Sequence, residues 1–382
     1  MQIEQPEAVG PISSSLPASS SPPSSSQASS SQGSAAASPP MLPRGLVMVL
    51  GAAGTAVTVT AMRDLSWLLG PVFLSLMLVI AVAPTQALLR RLRLPGWLAT
   101  LVSLFLVYAI LVALAGLIYY SVSQLVTLLP RYQQTATDLI KQITAQLTAH
   151  GINTDIAGLT SQLDVNKVTD LATSLLSSLT SLTTTSFFVL ALLLFMSLDA
   201  TNFGERLASV RVVRPSVVAA LTAFAVGTRR YLVVSSFFGL VCSVFDLVAL
   251  ELLQVPLPLL WAVLAFITNY IPNIGFVVGL VPPALLALLD GGPREMVLTI
   301  AAYLVINIVI QTIIAPKFVG DVVGLSVTMT FLATAFWAWV LGPLGALLAI
   351  PMTLLAKALL IDADPSTRWV DTLIGASPPS EG

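Results

Sequence analysis

Long apolar runs separated by short polar breaks dominate the chain. Eight follow in order: Leu46 to Met62, Leu65 to Leu89, Trp97 to about Leu129, Ser181 to Leu198, Tyr231 to Leu253, Leu260 to Leu289, Met296 to Ala315 and Leu325 to Ile361. A helix rises about 1.5 Å per residue, so about 20 apolar residues cross a hydrocarbon core. The pattern predicts an all-α, polytopic integral membrane protein with about eight transmembrane runs. Runs six and eight are too long for one untilted crossing, and we read them as broken or re-entrant.

Run six is the most informative. It carries no charge, yet Asn269, Pro272, Asn273, Gly275, Gly279, Pro282 and Pro283 interrupt it. Such residues free backbone groups at membrane depth, which is tolerated only where protein or a water-filled cavity satisfies them. Broken helices of this kind point to transport sites. Run eight has comparable punctuation: Gly342, Pro343, Gly345 and then Pro351. Two topologies fit. In one, both runs are kinked crossings; in the other, both are hairpins that enter and leave on one side. Lys and Arg favour cytoplasmic loops. With both termini cytoplasmic, each topology leaves twelve basic residues inside and five outside, so charge does not choose between them.

The polar segments divide the chain. Residues 1–43 are rich in Ser, Pro and Ala and read as a disordered cytoplasmic tail. No basic segment precedes an apolar one there, so no signal peptide is expected. Runs one to three occupy 44–130 and runs four to eight 176–361, with a second cytoplasmic tail at 362–382. Between the two sets, 131–175 is an extracytoplasmic insertion. Leu139, Ile143 and Leu147, then Leu159 and Leu163, recur at helical spacing and predict two amphipathic helices around a break at Gly151.

Composition agrees: 56% of residues are hydrophobic, 9% are charged and mean hydropathy is +0.92, against about 25% charged in soluble domains. A net charge of −1 gives no nucleic-acid signal. One cysteine (Cys242) and one histidine (His150) support neither a disulfide nor a metal centre. There is no GxxxxGK[ST] phosphate loop, no HExxH and no GxSxG. The expectation is therefore no catalytic residues, no cofactor, no metal and no enzyme activity.

Asp246 is the sharpest candidate for chemistry. It lies within run five, where a charged residue costs about 2.5–3.5 kcal/mol on insertion scales and needs a partner or a task. Reversible binding of a proton or cation is that task; the structural alternative is an acid held by polar neighbours. Asn269, Pro272, Asn273, Gly275, Asn307 and Gln311 are candidates for a translocation pathway. Asn307 and Gln311 are four apart and share a helix face. Lys317, Gly320, Asp321, Gly342 and Gly345 are candidate gate or hinge positions. Arg229 and Arg230 read as residues reaching lipid phosphates, and Trp261, Trp337 and Trp339 as interfacial anchors.

Three stretches are similar to a known family. They are Pro256 to Gly292, Ile314 to Ser326 (IAPKFVGDVVGLS) and Phe336 to Pro351 (FWAWVLGPLGALLAIP), with Leu198-Asp199 and Gly204-Glu205-Arg206-Leu207 beside them. This pattern resembles the autoinducer-2 exporter family of bacterial permeases, over about residues 45–370. Leu325-Ser326-Val327 lacks the proline common after that glycine in relatives, which suggests a subgroup. The resemblance implies a multi-pass permease of the bacterial cytoplasmic membrane that works as a homo-oligomer. With Asp246 read as the coupling residue, the expectation is a secondary transporter that exports a small solute with proton coupling. Sodium or lithium/proton antiport, described for other members, is the alternative, and a non-transporting scaffold the second alternative. The implied partners are the lipid bilayer, a small-molecule or cation substrate and further copies of the chain.

Overall fold

The computed structural model describes residues 43–93, 95–149, 165–272, 274–315, 317 and 324–370. The N-terminal tail up to residue 42, the centre of the 131–175 insertion, Asn273, Gly320, Asp321 and residues 371–382 lie outside the described residues. Among those described there is no β-strand. The first ten residues of α1 (Arg44–Asp64) belong to a separate unit and are exposed where described. All that follows concerns residues 54–382.

Among the described residues, four helical segments are long and apolar enough to cross a membrane. They are α2 (Ser66–Arg91), the first part of α3 (Gly96–Ala149) up to Leu128, α5 (Pro215–Leu252), and α8 (Pro293–Asn307) with the π-helical turn Ile308–Ile314 that continues it. In α4 (Val165–Val213) the segments Phe187–Ala200 and Phe203–Val213 are bent by 57° and pass the same test as a pair. The break lies beside Gly204, a residue type that favours kinks. The helical parts of the insertion are continuous with α3 and α4 and extend them past their apolar stretches.

Run six is a hairpin. It forms α6 (Pro258–Thr268) and α7 (Gly275–Gly291). In one continuous helix, positions 268 and 275 would be separated by about 10 Å. Instead, a Cβ built on Gly275 falls 1.8 Å from the Thr268 carbonyl oxygen, and one on Gly279 falls 3.4 Å from Ala265 Cα. Contacts that move back along α6 as they move forward along α7 define an antiparallel pair. Only glycine permits this approach at position 275.

Run eight is a second hairpin, built from α9 (Val327–Leu341), the short α10 (Pro343–Leu347) and α11 (Ala349–Lys357). Ser326 Oγ accepts from Met329 N at 3.3 Å and caps α9. The chain reverses at Gly342, whose φ is +69°. Trp337 Nε1 then donates to Thr353 Oγ1 at 3.0 Å, a pair that a straight helix would hold about 24 Å apart.

The hairpins pack against opposite ends of α5. Leu250, near its C-terminus, is wholly buried in a cluster with Leu260 of α6 and Leu286 and Ala287 of α7. Ala220 and Phe224, near its N-terminus, pack with Trp337, Met352 and Ala358, and Ser216 Oγ donates to Ala363 O at 2.9 Å. Ser216 and Leu250 are roughly 50 Å apart along the helix axis. The expected eight runs thus resolve into spanning helices and two hairpins, with α1 not among the helices that meet the crossing test.

Two readings need correction. Arg229, read as reaching lipid phosphates, lies within α5 and its Nε donates to Ile80 O at 3.3 Å, tying α5 to α2. Trp261 and Trp337 are buried core residues, with indole N–H groups bonded to Pro256 O (2.9 Å) and Thr353 Oγ1. Only Trp339 of the three is exposed, with Arg63 5.2 Å over its ring.

Candidate functional site

The site forms where the tip of the α6–α7 hairpin meets α5 and α8. On α5, Gly239, Cys242 and Asp246 recur at intervals of three and four, which places them on one face. On α8 and its π-helical turn, Tyr303, Asn307 and Gln311 recur at about one turn. A π-helical turn inside an α-helix is uncommon and is frequently found at functional sites.

Gly239 lets the hairpin tip approach α5: a Cβ there would lie 2.7 Å from Asn269 Nδ2. Asn269 Nδ2 donates to Ser235 O at 3.1 Å, while its Oδ1 accepts from Gln311 Nε2. Gln311 Nε2 also lies 3.8 Å from Cys242 Sγ. The Tyr231 hydroxyl donates to Tyr270 O at 2.7 Å, and the Tyr270 hydroxyl is 2.6 Å from Ser236 Oγ. These bonds satisfy polar groups at the break between α6 and α7.

Beside this network lies a cavity of about 30 Å³. Its polar lining comes from Asp246 and Cys242 of α5, Thr268 and Asn269 of the hairpin, and Tyr303 and Asn307 of α8. Asp246 is 5% exposed and Tyr303 3%. Among the described residues, neither Asp246 Oδ1 nor the Tyr303 hydroxyl has a hydrogen-bond partner. An unsatisfied buried polar group costs about 1–3 kcal/mol, more when charged. The cavity is polar and roomy enough for a water-sized species to answer both groups. One carboxylate with neutral oxygens suits a proton, a water or a hard monovalent cation rather than a thiolate- or imidazole-bound metal. No cluster of three potential metal ligands occurs among the described residues.

Of the sequence candidates, Asp246, Asn269 and Asn307 line this cavity, and Gln311 adjoins it through Asn269. Gly275 and Pro272 shape the hairpin tip beside it. Asn273, Gly320 and Asp321 fall outside the described residues. Lys317 is exposed. Gly342 and Gly345 form the tip of the other hairpin; a Cβ on Gly345 would lie 1.9 Å from Trp337 O. Tyr303, Thr268, Cys242 and Gly239 went unnoticed as site residues. Tyr303 precedes Asn307 by four and Cys242 precedes Asp246 by four, so extending each ladder by one turn would have found both.

The family model described as "AI-2E family transporter" matches residues 46–363. "AI-2 transport protein TqsA" of Escherichia coli (strain K12) is 28% identical over 321 residues, covering 84% of this chain and 93% of the relative. YhhT of the same organism is 29% identical over 268 residues, covering 70% and 74%. A protein of Haemophilus influenzae is 27% identical over 333 residues, covering 86% and 95%.

Proposed function

Because the chain belongs to the AI-2E family of transporters, we propose that it is a secondary permease that exports a small solute and couples that export to an ion or proton carried on Asp246. The observation that carries this reading is the buried pair of unpartnered groups, Asp246 Oδ1 and the Tyr303 hydroxyl, on one water-sized cavity. A carboxylate buried beside the break of a neighbouring helix is where a charge can be taken up and released. The absence of a phosphate loop in the sequence favours secondary over ATP-driven transport. The name of the TqsA relative favours a small polar solute of the autoinducer-2 type as cargo.

The setting is the bacterial cytoplasmic membrane, with both termini cytoplasmic, the 131–175 insertion outside and the chain acting as a homo-oligomer. The two hairpins, packed at opposite ends of α5, support the topology in which runs six and eight enter from opposite faces. Such an inverted pair suits alternating access.

The small size of the cavity favours a second reading, a sodium or lithium/proton antiporter, in which Asp246 exchanges the two cations directly. One assay separates the two readings. Purified protein is placed in liposomes with a pH-sensitive dye and given pulses of sodium or lithium. Cation-evoked proton flux that disappears in Asp246→Asn identifies an antiporter. Proton flux evoked only by an organic solute, and lost in the same variant, identifies coupled export. Flux of either kind that survives Asp246→Asn removes Asp246 from the mechanism.

A further inference from the structure

The cavity is closed on one side by an apolar cluster. Tyr132 lies four residues past Leu128, where the apolar span of α3 ends, yet it is only 5% exposed. It packs in a cluster with Leu250 of α5, Trp261 of α6, Leu286 of α7 and Tyr303 of α8. Tyr303 belongs both to this cluster and to the cavity wall. Leu250 is one turn beyond Asp246 on α5. The cluster therefore separates the cavity from the end of the bundle where α3 projects. At its rim, the Tyr132 hydroxyl donates to Asp290 Oδ1 at 2.8 Å. Asp290 is exposed and is followed by Gly291 and Gly292, the latter at φ +96°.

We propose that Tyr132 and Asp290 form the latch of a gate, through which the Asp246–Tyr303 cavity opens toward the face from which α3 projects. Packed apolar side chains can slide over one another, whereas a hydrogen bond to a carboxylate fixes one register. Water reaches Asp290 and competes for the bond, so the latch can break without unfolding either partner. The glycine pair that follows is free to take up the backbone rotation when α7 swings away from α3. The latch rests on reading this cavity as the coupling site only for its functional meaning. Access to the cavity is a separate, measurable property.

The single cysteine of the chain, Cys242, lines the cavity and reports that access. Full-length protein in oriented vesicles is treated with a small, membrane-impermeant thiol reagent on one face at a time. Tyr132→Phe keeps the ring and removes the donor. Its Cys242 is expected to react about fivefold faster from the face bearing the α3 extension, the effect of losing one modest hydrogen bond from a closed state. Asp290→Ala should match it. Asp290→Asn, which keeps an acceptor, should stay within about twofold of the unmodified protein. Unchanged labelling in Tyr132→Phe overturns the latch, as does an equal rise from both faces, which assigns Tyr132 to packing alone. Labelling needs no transported solute. A failed latch leaves the Asp246 reading standing, and proton flux that survives Asp246→Asn leaves the latch standing.

Discussion

Gln311 Nε2 donates to Asn269 Oδ1 across 42 residues of sequence, joining the π-helical turn after α8 to the tip of the α6–α7 hairpin. Asn269 passes the connection on to α5 through Ser235 O. Three elements thus meet at one side-chain amide.

Asn269→Ala removes both bonds and strands groups on α5 and α8. We expect a loss of about 1–3 kcal/mol and reduced transport, with insertion preserved. Gln311→Leu should cost less, since Asn269 keeps its bond to α5. Thermal unfolding in detergent, read beside flux in vesicles, checks both; an alanine variant as stable and active as the parent would remove the amide from the account.

Asp246→Asn preserves side-chain volume but cannot take up and release a proton. Transport should lose its dependence on external pH while the protein still inserts and folds. Flux measured across a pH series decides this, and an unaltered profile counts against coupling at position 246.

Gly275→Ala and Gly345→Ala each place a methyl group within 2 Å of a carbonyl oxygen on the opposing limb. Both hairpins must then open, so we expect losses of about 3 kcal/mol or more, or failure to accumulate. Gly116→Ala is the control: nothing lies within 4 Å of a Cβ there, and the helix should gain about 0.5–1 kcal/mol. Expression and melting of the three variants are compared side by side.

Trp337 and Thr353 tie the limbs of the second hairpin together. Trp337→Phe and Thr353→Val should each destabilise, and together should lose less than the sum, with a coupling of about 0.5–1.5 kcal/mol. A double-mutant cycle on melting free energies measures this directly; additive losses would mean the bond contributes nothing.

Single cysteines at Gly292 and Lys317, in a Cys242→Ala background, test the topology. Hairpins entering from opposite faces place Gly292 on the face of the 131–175 insertion and Lys317 on the other. Kinked crossings reverse this. Labelling from each face of oriented vesicles separates the two arrangements.

Much of this was legible from residue pattern. Apolar runs marked the helices because a bilayer admits little else. Asn269, Pro272 and Gly275 marked the first hairpin because their backbone needs cannot be met inside a straight span. What pattern could not supply was direction. A kink and a hairpin carry the same prolines and glycines, and only the contacts of Gly275 with Thr268 and of Trp337 with Thr353 distinguish them. Tyr303 and Cys242 were overlooked for a related reason. In an apolar run, each reads as one more packing residue until a neighbouring acid is placed beside it. The same ambiguity made Trp261 and Trp337 look interfacial, since pattern alone does not say which side of a helix meets lipid.

The position of the first hairpin between α5 and α8 has a bearing on how the chain is made. A ribosome completes α5 before the hairpin and finishes α8 only afterwards. Ser235 and Gly239 are therefore waiting when Asn269 emerges, while Gln311 does not yet exist. For the time taken to add 42 residues, the break in run six has α5 as its sole helical neighbour within this network. The insertion machinery meets an uncharged segment long enough to be taken for a crossing, and translation of the next helix adds a second bond to the tip of the hairpin.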